Sequence, residues 1–128
     1  MRVYTQCLLG LLLSVCNANA QEVHGVTEKE IKIGQSMPYS GPGSHYSTIA
    51  RANEAYFRMV NENGGVNGRK ITLISLDDAY SPPKTVEQTR RLVEQEDVLL
   101  IFDTLGTATN AAIQKYLNIK KVPHLFPT

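Results

Sequence analysis

Val98-Leu99-Leu100-Ile101-Phe102 is an unbroken apolar run. A strand with one wet face alternates apolar and polar residues, so a run without alternation belongs to a strand covered on both faces, as in a parallel sheet. This stretch therefore predicts helices above and below a sheet, and the flanking sequence supplies them.

On the C-terminal side a helix begins near Thr107 and carries Ala112, Ile113, Tyr116 and Leu117. Val122 to Phe126 reads as a further strand, with Pro123 near its start or on an edge, where proline is tolerated. On the N-terminal side Ile71 to Leu76 reads as a strand. Ser81 can cap the helix that follows, and Pro82 suits its first turn. That helix runs to about Glu96 with Val86, Thr89 and Val93 inward. Further upstream, Ile31 to Met37 alternates as a strand does, and Pro38 to Ser44 is rich in turn residues. A helix is expected from about His45 to Asn63, with Ile49, Ala52, Tyr56 and Val60 on its buried face. Gly64-Gly65 would stop it, because glycine accepts the left-handed conformation at a helix end. Asn67-Gly68 marks a tight turn.

Strands separated by helices pair in parallel through right-handed crossovers. The expected fold class is α/β: a doubly wound, mainly parallel sheet with helices on both faces. Such sheets bind ligands at the carboxyl ends of the strands, where the strand order reverses. With the order 2-1-3-4 the reversal lies between strands one and three. Two loops then flank the crevice, Pro38 to Tyr46 and Asp103 to Thr107.

In Ser40-Gly41-Pro42-Gly43-Ser44, glycines let a backbone approach a ligand and serines offer hydroxyls. The loop opens a helix whose free N–H groups favour an anion. Tyr46 stands where a dinucleotide fingerprint needs its third glycine, and no Gly-Lys-Ser/Thr follows as in a P-loop. Ser40 and Gly41 are therefore candidate ligand residues, or parts of a plain strand-to-helix turn. In the second loop Gly106 allows close approach. Thr107 either caps the helix or turns its hydroxyl to the crevice. Tyr46, an aromatic at the crevice mouth, can cover a bound apolar group or pack under its helix.

Other chemistries find little support. Asp77 and Asp78 have no third acid or nucleophile at a fixed offset, so a structural role in holding the Tyr80 to Pro83 loop is expected rather than acid–base or metal chemistry. His24, His45 and His124 have no ligand spacing to one another. No Gly-x-Ser-x-Gly elbow follows a strand, and no catalytic residue, metal site or cofactor is expected.

The first twenty residues read as a signal peptide. Arg2 forms a short positive region, Cys7 to Cys16 an apolar one, and Ala18-Asn19-Ala20 a cleavage site that leaves Gln21 first. The apolar run is shorter than the roughly 20 residues that span a bilayer. Val15 is larger than the residue a lipid-anchored Cys16 would need before it. Both cysteines of the chain lie in this segment, which excludes a disulfide scaffold from the rest. Arg2 aside, Lys and Arg balance the 12 Asp and Glu. No basic patch invites nucleic acid, so the expected partner is a small molecule or a protein. Residues 21–128 are about one small domain long, and Leu125-Phe126-Pro127-Thr128 reads as a strand end with no closing helix, as expected of a truncated chain.

Several blocks occur in order: Ile31-Lys32-Ile33-Gly34, Ser40-Gly41-Pro42, Asn63-Gly64-Gly65-Val66-Asn67-Gly68-Arg69-Lys70, Asp77-Asp78, Pro82-Pro83-Lys84 and Leu105-Gly106-Thr107-Ala108-Thr109-Asn110. Together they resemble the leucine/isoleucine/valine-binding type of periplasmic solute-binding protein that serves ABC transporters. The resemblance implies two α/β lobes of the type I fold closing about a hinge, with residues 21–128 as the truncated N-terminal ligand-binding lobe, and delivery of the ligand to an inner-membrane permease. It also implies that the first lobe holds a ligand carboxylate with backbone N–H and hydroxyl groups, which by position fall on Tyr46, Gly106 and Thr107. The family's amino-acid binders tend to have serines in the loop that here reads Gly106-Thr107-Ala108-Thr109, and a cysteine near the strand-two loop that is missing here. The implied ligand is therefore a branched-chain amino acid or a related organic or aromatic acid.

Two other readings stay open. A sensor ectodomain of the same fold would carry a membrane helix or signalling domain further on. An exported α/β enzyme would place a nucleophile or metal ligands at the crevice.

Overall fold

The computed structural model describes residues 23–128. The signal segment, the cleavage site after Ala20 and Cys16 lie outside them. The chain runs β1 (Glu30–Met37), a short 3-10 turn (Ser44–Tyr46), α1 (Ser47–Glu62), β2 (Lys70–Asp77), α2 (Pro82–Glu94), β3 (Leu100–Phe102), α3 (Thr107–Lys120) and β4 (His124–Leu125). The strands form one parallel sheet in the order β2-β1-β3-β4. This is the predicted order, with its reversal between β1 and β3.

Alternate residues of β1 point to opposite layers. Gly34 faces α2 so closely that a Cβ there would lie 3.1 Å from Ile101 Cδ1 and 3.2 Å from Leu92 Cβ. On that side Leu92, Val98, Ile101, Ile113 and Leu117 form the main core under α2 and α3. Met37, on the other side, packs with Ala50 and Leu105 in a smaller core under α1. Burying each large side chain contributes about 1.5–3 kcal/mol, which makes the α2/α3 layer the stronger anchor.

The buried face of α1 matches the expected one only in part: Ile49 packs against the smaller core and Val60 is half-buried. Ala52 and Tyr56 are exposed, whereas Ala50 is buried and Asn53, Phe57 and Asn61 are half-buried. Two asparagines on the inward face explain the rotation, because each finds a partner there. Asn53 Nδ2 donates to Asp103 Oδ2 at 2.7 Å. Asn61 donates to Ile71 O and accepts from Ile71 N, both at 2.8 Å, and so occupies a backbone pairing slot on the outer edge of β2. A satisfied polar side chain can face inward at little cost.

The apolar run is only partly strand. Val98 N–H turns back to Leu92 O, and Leu99 N–H begins the pairing with β1 at Lys32 O. β4 is shorter than expected: Phe126 takes a left-handed backbone (φ 54) and ends it. Pro123 sits just before β4 and contributes only its carbonyl, which accepts from Ile101 N–H. Ser81 occupies the N-cap position of α2, but its hydroxyl makes no capping bond.

Candidate functional site

Three loops meet at the carboxyl ends of β1, β2 and β3, and the two aspartates that end β2 join them. Asp77 accepts N–H bonds from Tyr39 (2.9 Å), Ser40 (3.1 Å) and Ala79 (3.0 Å), and the Ser40 hydroxyl at 2.5 Å. Desolvation pushes its pKa up, but the Ser40 hydroxyl and the three N–H groups outweigh it and hold the carboxyl below its ordinary value. Asp78 is buried and accepts from the hydroxyls of Ser36 (2.6 Å) and Thr85 (3.0 Å) and from Tyr80 N–H (2.9 Å). Asp78 holds the turn at Tyr80, as expected of one of the pair, whereas Asp77 holds the Tyr39–Ser40 loop and Ala79.

With their N–H groups taken by these carboxylates, Ala79 and Tyr80 adopt successive left-handed conformations, φ 51 and 60. The turn throws the Tyr80 ring across the crevice. A Cβ on Gly106 would lie 2.7 Å from Tyr80 Cε2, and one on Gly43 would lie 3.2 Å from Tyr80 Cβ. Gly106 itself has φ 101, which a side chain rarely tolerates. Tyr80 thus bridges the two loops that flank the crevice.

Ser40 and Gly41 are drawn against the β2–α2 loop: Ser40 bonds Asp77, and a Cβ on Gly41 would approach Ala79 O to 2.9 Å. The Tyr46 side chain is exposed and leans on His45, with ring centroids 4.1 Å apart. Gly106, not Thr107, is the N-cap of α3, and no side chain closes that end. Thr107 is the first helical residue and is exposed. The opening N–H groups of α3 have no carbonyl one turn earlier in the helix, so this end carries free donors and a partial positive charge. Gly106 N–H donates to Thr128 O at 2.6 Å. A groove of about 360 Å³ lined by Thr107, Asn110, Gln114 and His124 opens beside the helix start. No hydrogen bond links Tyr46 to Thr107 among the described residues.

Further residues, not singled out as site candidates from the sequence, shape this loop. The Thr109 hydroxyl faces the carbonyls of Leu105 and Gly106 and closes the turn into α3. Thr104 donates to Asn110 Oδ1 at 2.5 Å and lies 2.6 Å from His124 Nε2. Gln35, fully buried in β1, donates to Asp103 O at 3.1 Å. Only the Leu105 to Asn110 block hinted at Thr109 and Asn110. Nothing local marks Tyr80 or Gln35, whose roles depend on loops distant in sequence.

Among the described residues no group of three His, Cys, Asp or Glu side chains could hold a metal ion. No described helix is long and apolar enough to cross a membrane. The candidate site is a helix start without a side-chain cap, set beside the two loops that flank the crevice. A family model described as periplasmic binding protein matches residues 30–128.

The chain belongs to the periplasmic binding protein family.

Among its relatives, Leu/Ile/Val-binding protein homolog 7 of Brucella suis biovar 1 is 32% identical to this periplasmic-binding-protein chain over 96 residues, 74% of this chain and 24% of that protein. Its Brucella abortus counterpart is 29% identical over 88% of this chain and 28% of its own length. The chain thus spans about a quarter of the length of these curated relatives. Two solved structures superpose well. A fatty acid ABC transporter substrate-binding protein from Thermomonospora curvata has a TM-score of 0.71 at 31% identity, over 80% of this chain and 26% of that one. A branched-chain amino acid transporter substrate-binding protein from Streptococcus pneumoniae, solved with isoleucine, has a TM-score of 0.70 at 25% identity, over 75% and 28%. The four-stranded parallel sheet and its helices correspond to part of one lobe of the type I periplasmic-binding-protein fold.

Proposed function

We propose that this chain is the first lobe of an extracytoplasmic solute-binding component of an ABC transporter. It captures a small carboxylate-bearing solute, a branched-chain amino acid or a related organic or aromatic acid, for handover to an inner-membrane permease. Residues 1–20 direct export and are cut after Ala20, which N-terminal sequencing of the exported chain tests; a chain beginning at a lipid-modified Cys16 would overturn that. The names of the relatives support the binding role, and a structural neighbour named as the substrate-binding protein of a fatty acid ABC transporter supports a ligand range wider than amino acids.

The observation that carries this reading is the uncapped start of α3 beside Gly106, with the Thr107 hydroxyl exposed at the reversal of strand order. A carboxylate there would accept charge-assisted hydrogen bonds worth about 1.5–3 kcal/mol each. Ser40, Gly41 and Tyr46 form the facing rim.

The test compares a carboxylate with its neutral amide, leucine against leucinamide and phenylacetate against phenylacetamide, in NMR titrations. Thr107→Ala should weaken the acids by roughly ten- to a hundredfold, since about 1.4 kcal/mol is tenfold, and the amides less. Thr107→Ser should retain binding. Equal weakening of acid and amide would overturn the carboxylate contact. Because a closing two-lobe protein buries its ligand between lobes, residues 21–128 alone should bind only at millimolar concentrations or above. Micromolar binding by that segment would contradict the two-lobe reading.

A further inference from the structure

Tyr80 lies between the two loops that flank the crevice. A Cβ on Gly106 would lie 2.7 Å from its Cε2 and 2.9 Å from its hydroxyl oxygen, so the ring takes the space a side chain on the β3–α3 loop would fill. Gly43 clears its Cβ on the opposite loop. Despite being wedged between two glycines, the residue keeps 44% of its surface exposed. The two loops therefore leave the residue only partly covered.

The ring is also held in place. Asp77 and Asp78 bond the N–H groups of Ala79 and Tyr80, and both residues sit in left-handed conformations that a loose loop would rarely keep. A fixed aromatic contacts a ligand without losing much side-chain freedom, which favours selectivity. Its neighbour across the Gly106 turn is the open start of α3.

We propose that Tyr80 is a ligand-contact residue that sets the selectivity of the crevice. Its ring forms an apolar wall beside the anion-binding start of α3, so the site prefers a carboxylate carried on a flat aromatic group to one carried on a branched aliphatic chain. The inference rests on the carboxylate reading above. Aromatic rings pair edge-to-face or offset, with a gain beyond buried area that an aliphatic chain cannot match.

Phenylacetate and 4-methylpentanoate make the comparison, because both are monocarboxylates and differ mainly in the group beyond the acid. NMR titration of the full chain should show phenylacetate bound roughly three- to tenfold more tightly. Tyr80→Phe should keep the preference and Tyr80→Leu should erase it. Since a leucine in this left-handed turn can disturb the loop, a second measurement stands on the wild-type chain: bound phenylacetate should show nuclear Overhauser contacts to the Tyr80 ring. If both acids bind and both depend on Thr107, but the ratio survives Tyr80→Leu or those contacts are absent, the role of Tyr80 is overturned and the carboxylate site stands. If neither acid binds the wild-type chain, the carboxylate site falls and the Tyr80 role with it.

Discussion

Asp77 reaches across from the end of β2 and takes both the hydroxyl and the N–H of Ser40, at 2.5 and 3.1 Å. The loop after β1 is thereby held by the strand beside it as well as by its own turns. Replacing Asp77 with Asn should cost about 1–2 kcal/mol, since hydrogen bonds to a charged group are lost. The cost should depend on pH. The folded carboxyl sits below its ordinary 3.8, so its contribution is fully present above that value and is lost as the pH falls through the lowered one. Urea midpoints should therefore separate wild type from Asp77→Asn at pH 7 and converge toward pH 3. A gap that stays constant over that range would contradict the assignment.

Gly34→Ala should destabilise the fold by about 1–3 kcal/mol, because the new methyl has no room between β1 and α2. Its nearest atoms include Ile101 Cδ1 at 3.1 Å, which Ile101→Val removes. The double variant should be less destabilised than the two single changes predict together. Additive costs in chemical denaturation would show that the crowding lies elsewhere.

How much of this was legible in advance follows from where each determinant sits. The Val98 to Phe102 run carries its own statement of two-sided cover, and the alternating strands and helices around it imply the sheet order. The face of α1 was legible only at Ile49 and Val60, because apolar Ala52 and Tyr56 look like core residues, while Asn53 and Asn61 face inward only once Asp103 and Ile71 stand opposite. Thr107 could be placed at a helix start by pattern, but the absence of a side-chain cap there could not. Tyr80 was beyond reach: its direction follows from two carboxylates fixing a left-handed turn, and its contact from a glycine on another loop.

Thr89 gives a prediction of the opposite sign. Its hydroxyl is buried against α2's neighbours and has no hydrogen-bond partner among the described residues. Thr89→Val keeps the shape and removes the unsatisfied group, so it should stabilise the chain by about 1 kcal/mol. A lower urea midpoint for this variant would mean that the hydroxyl is bonded in solution.

His124 should make the chain sensitive to mild acid. Burial lowers its pKa below the ordinary 6.5, so the unfolded chain takes up a proton that the folded chain resists. The contribution to stability is complete above pH 6.5 and is lost as the pH falls below it toward the lowered value. His124→Gln should flatten the fall in melting temperature between pH 7.5 and 5.5. An unchanged slope would assign the acid sensitivity to other groups.

The side-chain amide of Asn61, seated on the outer edge of β2, has a consequence beyond holding α1. An exposed edge strand offers unpaired backbone groups on which another chain can template itself, and sheet proteins must blunt such edges to stay soluble. At Ile71 that invitation is already answered from within, because Asn61 presents a carbonyl and an amide in the geometry a neighbouring strand would use. A second molecule would have to dislodge it before adding a strand there. The same side chain that turns the helix also guards against edge-to-edge aggregation.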